Sequence, residues 1–293
     1  MDDDRSKRLR RVTERIIGLS ALPTIVTQLI ALVGDPRSSA RQVARLISTD
    51  QALTAKILRV ANSAFYGFPR KIATVQLAIV VLGFNAVKNL ALSVTVLKRF
   101  SGGTDHRLFD RQRFWEHAIG CGVAARMLAK RFGGRDGEAF VAGILHDIGK
   151  LILIEYAHDE FTDALELAEQ EDIPIGQAEE EVLGVTHAEV GGWLAERWNL
   201  PEPLAHSISA HHNPFALEEP DDLVLITHMA DALVRFNSIG HSGDGQAPRL
   251  DPQVAAHFKR GEDLTDEMLL GSLSDGLMEE IEKAQIFRDL GEE

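Results

Sequence analysis

Apolar residues along this chain recur at helical spacing, and strand-type alternation is almost absent. Leu53, Ile57, Val60, Ala61 and Ala64 form one stripe. Val87, Leu90, Ala91, Val94 and Leu97 form another. Spacing of i, i+3, i+4 puts such side chains on one face of a helix, turned toward a core. Start signals agree with this period. Ser39 precedes the run ARQVARLI, and Pro201 suits the first turn of PLAHSISAH. Thr186 and Glu189 have the spacing of a capping box before GGWLAERW. That places His187 in the first turn of a helix. The pattern predicts an all-α protein.

Two breaks interrupt it. Ser101 to His106, SGGTDH, is polar and contains glycine. Asn237 to Pro252 carries Gly240, Gly243, Gly245, Pro248 and Pro252, and reads as a flexible loop. Beyond that loop Leu270, Leu273, Leu277, Ile281 and Ala284 make one more amphipathic stripe. It reads as a helix packed back on the body, with a partner or dimer helix as the sharper alternative. The run from Ala40 to Phe65 has the outline of a helix-turn-helix, with Ser48, Thr49 and Asp50 in the turn. Its second helix offers only Lys56 and Arg59 as basic residues, so DNA binding is disfavoured.

Composition narrows the class. The 293 residues are 45% hydrophobic and 26% charged, as in ordinary globular proteins. A net charge of −13 argues against nucleic-acid binding through overall charge. The longest apolar run, Leu77 to Leu82, is far too short to span a bilayer, and no signal-peptide pattern follows the first residues. A cytoplasmic protein without membrane attachment is the expectation. The single cysteine, Cys121, forbids an internal disulfide and reads as a packed core thiol rather than a reactive one.

The candidate chemistry lies in HDIGK, His146 to Lys150. Imidazole nitrogen and carboxylate oxygen both ligate divalent cations. A lone HD pair is weak evidence, and His158–Asp159 is a second one in this chain. His146 and Asp147 differ by following the buried-looking run FVAGIL. Their distant companions are His117, His187, His211, His212 and Asp231. Small residues after His117 allow close helix approach. Asp231 lies inside the apolar run LVLITHMADALV, where a carboxylate needs a partner. An Arg or Lys would serve, and so would a cation held by histidines. Two cations roughly 3.5–4 Å apart, sharing a bridging hydroxide, need about this many ligands. Asp147 is the expected bridging carboxylate. Lys150, one turn on, would contact a phosphate oxygen. His206 and His228 fall beside the set. The donors suit Fe, Mn, Zn or Ni alike.

These residues resemble the bacterial HDOD domain, a relative of the HD phosphohydrolases. The similarity runs from about Leu19 to His212, through LPTIVTQLIALV, ISTDQALTAKILRVANSAFYGFP, FWEHAIGCGVAARMLAK, EAFVAGILHDIGKLIL and EEEVLGVTHAEVGGWLAERW. It implies an N-terminal helical bundle packed on an HD-like bundle, and a role in bacterial signalling. Under it the chain divides into a helical lead-in over 1–18 and an N-terminal subdomain over 19–101. A metal-binding subdomain follows over 102–236, then the loop over 237–252 and a helical extension over 253–293. Many relatives have lost the HD ligands. Here His117, His146, Asp147, His187, His211, His212 and Asp231 all stand where HD-GYP cyclic-di-GMP phosphodiesterases place metal ligands, and Lys150 matches that group's HDxxK lysine. The chain departs from them after the His pair, where NPFALEEP has no GYP tripeptide. Arg113 replaces an additional Glu ligand, which implies two metals at most. The resemblance therefore implies a regulatory protein with a retained dinuclear site, acting through signalling partners or a phosphorylated small molecule. The alternative is an active metal-dependent phosphohydrolase on a nucleotide or cyclic dinucleotide.

Overall fold

The computed structural model describes residues 24–34, 37–100, 102, 103 and 106–292. The lead-in expected over 1–18, and part of the break at Ser101–His106, lie outside them. The protein is all-α, as the periodicity predicts, and the one β feature among the described residues is an isolated bridge between His106 and Phe109.

In the N-terminal half, α1 (Thr24–Gly34), α3 (Gln51–Ala61) and α4 (Val75–Leu82) pack on the longer α5 (Phe84–Phe100), and α2 (Ala40–Ile47) packs on α1, α3 and α4. The stripes seen in the sequence face inward, with Leu53, Ile57, Val60, Val87, Leu90 and Leu97 buried. Ser39 caps α2 in a reciprocal capping box with Gln42, and Asp50 caps α3. The second half holds α6 (Arg111–Phe132), α7 (Asp136–Leu145), α8 (Ile148–Tyr156), α9 (His158–Glu171), α10 (Ile175–Val182), α11 (His187–Arg197), α12 (Glu202–Ser209) and α13 (Asp222–Phe236). Helix α6 lies at its centre, against α7 and α13, and α5 joins the halves by packing on α7. Pro201 stands at the N-cap of α12 rather than in its first turn, which Pro203 occupies instead.

The C-terminal stripe does not form one helix. It divides between α15 (Asp266–Leu273) and α16 (Leu277–Lys283), preceded by α14 (Pro252–Lys259) and followed by α17 (Gln285–Glu292). Gly276, at φ +77°, turns the chain between α15 and α16 in a conformation that L side chains avoid. These helices pack back on the body, as the plainer reading held. Phe287 of α17 is fully buried and meets Phe65 from the first half and Phe140 from α7. The three ring centroids lie 4.8–5.2 Å apart. Helix α17 also takes up the basic residues of α3: Lys56 donates to the Leu290 carbonyl at 2.9 Å, and Arg59 faces Asp289 at 3.9 Å.

Among the described residues no single helix is long and apolar enough to cross a membrane. The bent pair α4–α5 reaches the length, but most of α5 is buried against protein.

Because Phe287 binds three parts of the chain, Phe287→Ala should cost about 3–5 kcal/mol of stability, read as a lowered urea midpoint. An unchanged midpoint would mean that α17 is not part of the cooperative unit.

Candidate metal centre

His146 and Asp147 do not sit within one continuous helix. Helix α7 ends at Leu145 and α8 begins at Ile148, so the pair occupies the corner between them. Gly149 allows that corner to press on the start of α11. A Cβ there would lie 1.9 Å from the His187 carbonyl oxygen. Gly143 does the same against Cys121 of α6, where a Cβ would meet the backbone oxygen at 2.4 Å. The small residues around His117 thus permit the close approach read from the sequence. His117 comes from mid-α6, and His187 is the first residue of α11, behind the capping box of Thr186 and Glu189. His211 and His212 follow α12, and Asp231 lies in α13.

All seven expected side chains converge. They divide around Asp147, which is 1% exposed. Its Oδ2 lies 3.5 Å from His146 Nε2 and 4.0 Å from His117 Nε2. Asp231 Oδ1 completes that side, 3.1 Å from His117 Nε2 and 3.8 Å from His146 Nε2. Asp147 Oδ1 faces the other way, 3.2 Å from His187 Nε2 and 3.5 Å from His211 Nε2. His212 Nε2 lies 3.0 Å from His187 Nε2. Bonds of about 2.0–2.2 Å to one ion put neighbouring N and O donors about 3–3.5 Å apart. Such a cluster could hold metal.

Outer contacts aim the rings. His146 Nδ1 donates to the Gly143 carbonyl at 2.7 Å, and His211 Nδ1 to the Ile208 carbonyl at 2.8 Å. Each ring therefore turns its Nε2 into the cluster. Glu179 of α10, fully buried, accepts from both the backbone N–H and Nδ1 of His187, at 2.8 and 2.6 Å. Burial alone would lower the His187 pKa, but the Glu179 and Asp147 carboxylates together outweigh it and the value stands at about 9. His146 has no such partner, and burial brings it down to about 4. Burial also works to raise the Asp147 pKa. Lys150, followed by His146, His187 and His211, overrides it and holds the carboxyl well below its usual range.

Lys150 donates to Asp147 Oδ2 at 2.7 Å and to Ser242 Oγ at 3.3 Å. Its Nζ is committed to the Asp147 carboxylate, and it does not line the neighbouring cavity. That cavity, of about 410 Å³, is lined by His212 and Asp231 together with Asn213, Arg235, Gln246 and Arg249. None of its lining residues comes from the N-terminal half. The segment read as a flexible loop forms part of its wall and is tied down. His241 N–H donates to the Arg113 carbonyl, Asp244 pairs with Arg235 at 3.1 Å, and Asp251 N–H donates to His228 Nε2. His228 Nδ1 in turn donates to the His211 carbonyl at 2.6 Å. His228 thus supports the cluster from behind. His206 faces Glu202 at 3.9 Å and His158 faces the Ile154 carbonyl, both outside the cluster.

Several contributors escaped the sequence reading. Glu179 is one of three successive glutamates, and nothing in that run marks the buried one. Ser242 and Asp244 lie in a stretch whose glycines suggested only mobility. Cys121 was read as packing, yet its Sγ lies 3.5 Å from His117 Nε2. The i, i+4 spacing of His117 and Cys121 was the available signal.

A family model described as the HDOD domain matches residues 19–214. The chain belongs to the HDOD domain family. An uncharacterised protein of Treponema pallidum is 28% identical over 240 residues, 81% of this chain. The chain spans 45% of that relative's length. An HDOD domain protein of unknown function from Geobacter sulfurreducens is 29% identical, with a TM-score of 0.76 over 96% of this chain and 97% of that one. A Shewanella amazonensis protein, assigned by name only provisionally to the phosphohydrolases, shares the fold at 24% identity and a TM-score of 0.68, with 96% and 97% covered.

If Glu179 sets the charge of His187, Glu179→Gln should lower the His187 pKa by about 1–3 pH units in metal-free protein. An NMR titration of the ring protons reads it. An unmoved value would assign the elevation to Asp147 alone.

Proposed function

We propose that this HDOD protein is a signal-transduction component whose dinuclear metal site binds a phosphorylated small molecule, and that it acts through ligand and protein contacts. One observation carries the reading: Asp147 turns each carboxylate oxygen to a separate donor set. His117, His146, Asp231 and Asp147 Oδ2 would hold one divalent cation. His187, His211, His212 and Asp147 Oδ1 would hold the second. The fit is supported by three buried atoms without hydrogen-bond partners, His146 Nε2, His211 Nε2 and Asp147 Oδ1. Unpaired polar atoms are costly in a core, and together these have the chemistry of a cation site.

Divalent ions at such a site supply positive charge to phosphate oxygens and acidify a bound water. The protein's own groups do the rest. Lys150 keeps Asp147 ionised and fixes its direction. Arg249, exposed at the cavity wall, supplies a guanidinium for a phosphate. Arg235 is held between Asp231 and Asp244, and so shapes the wall. Signalling proteins are the expected macromolecular partners.

A second reading, hydrolysis of a nucleotide or cyclic dinucleotide, is favoured by access. His212 and Asp231 face the cavity directly, so a phosphoester could meet the donor cluster.

Protein purified without chelator should carry about two divalent ions per chain, and Asp147→Ala should lose both while keeping its helical circular dichroism. Metal-free protein from anaerobic preparation would sink the site. Arg249→Ala should weaken binding of a nucleoside monophosphate about ten-fold by calorimetry. Binding without turnover supports the signalling role. Metal-dependent hydrolysis that disappears in Asp147→Ala would establish the second reading in its place.

A further inference from the structure

Cys121 is the chain's single cysteine and stands one turn after His117 on α6. It is fully buried. Packing explains the burial, and the thiol turns to hydrogen-bonding distance of the His117 ring. Its Sγ lies 3.5 Å from His117 Nε2, and Sγ, His117, His146 and Asp231 form a group whose donor atoms all lie within 4.8 Å of one another. A second feature of the group points to a ligand independently. His146 is 0% exposed, its Nδ1 is spent on Gly143, and its Nε2 is unpartnered.

The distances suit one ion. A thiolate bond of about 2.3 Å and an imidazole bond of about 2.0–2.1 Å, meeting at a tetrahedral angle, separate S and N by about 3.5 Å. The observed separation is 3.5 Å. The edges from Asp231 Oδ1, 3.1 Å to His117 and 3.8 Å to His146, bracket the about 3.4 Å expected for N and O ligands.

We infer that Cys121 Sγ is a further ligand of the cation held by His117, His146, Asp231 and Asp147 Oδ2, and that this centre selects a thiophilic ion such as Zn²⁺ over Mn²⁺ or Mg²⁺. The inference rests on reading the cluster as a metal site. As the sulfur–metal bond forms, the thiol proton leaves to solvent, and no electron is transferred. The thiolate and Asp231, with the carboxylate of Asp147 shared between the two ions, balance the positive charge in a buried setting. Soft sulfur ligands favour zinc over the harder ions that oxygen donors suit.

Cobalt makes the sulfur visible. The 293-residue chain, stripped of metal and reloaded with Co²⁺, should show a sulfur-to-cobalt charge-transfer band in the near ultraviolet. Cys121→Ser should keep bound Co²⁺ and its visible absorption, lose that band, and bind Zn²⁺ about ten-fold or more weakly with Mn²⁺ affinity little changed. Bound Co²⁺ without the band in wild type would overturn the inference and leave the metal site standing. So would a band that persists in Cys121→Ser. Protein that takes up neither Co²⁺ nor Zn²⁺ would overturn the metal site and this ligand together. Should Cys121→Ser fail to fold, cadmium NMR of the wild-type chain decides, since a one-sulfur environment and an all N/O environment give different shifts.

Discussion

A carboxylate at 1% exposure cannot remain charged in a helical core without compensation, and Asp147 is that carboxylate. Its neighbours answer the demand from every side. Lys150 meets it from its own helix at 2.7 Å, while His117, His146, His187 and His211 approach from α6, the α7–α8 corner, α11 and the end of α12. The net effect holds the carboxyl ionised against its burial. Four elements distant in sequence are thereby committed to one point. A fold selected only for stability would fill this volume with apolar side chains at lower risk. The polar convergence is better understood as the cost of a site.

The surrounding architecture serves that convergence. The corner between α7 and α8 frees the HD pair from helical geometry. Gly149 and Gly143 let the corner approach α11 and α6 to within backbone contact. Glu179 and the Gly143 and Ile208 carbonyls fix ring orientation from behind, and His228 holds the His211 backbone. The stretch after α13 closes one side through Ser242 and Asp244, and leaves the cavity beside His212 open. The N-terminal half supplies none of the cavity wall. Its contribution is the platform under α7, reinforced by the Phe65, Phe140 and Phe287 cluster.

Helix identity was legible in the sequence because a buried stripe must repeat with the helical period. Ser39, and Thr186 with Glu189, announced their caps, since capping is a purely local arrangement. The set of seven candidate ligands was legible from residue type and from similarity to a known family. Local pattern failed at three places. It gave no sign of the corner at His146 and Asp147, it read Leu270 to Ala284 as one stripe, and it took the glycines of 237–252 for mobility. Each error has the same origin. Period and composition describe a segment alone, while helix breaks and tied-down loops are decided by what lies across from them.

The amino-acid sequence by itself determined an all-helical chain of the HDOD family with a full complement of His and Asp donors. Helical period, capping and ligand type are properties of neighbouring residues. Only the tertiary structure decided how those donors divide between the two oxygens of Asp147. It also decided that Lys150 faces that carboxylate rather than the cavity, that one of three adjacent glutamates is the buried anchor of His187, and that the thiol of Cys121 points at His117. The division of donors joins residues tens of positions apart, and the other three join near neighbours whose direction is set by what is buried across from them. Helix crossings and the close approaches glycine allows fix both, and local spacing alone leaves both open.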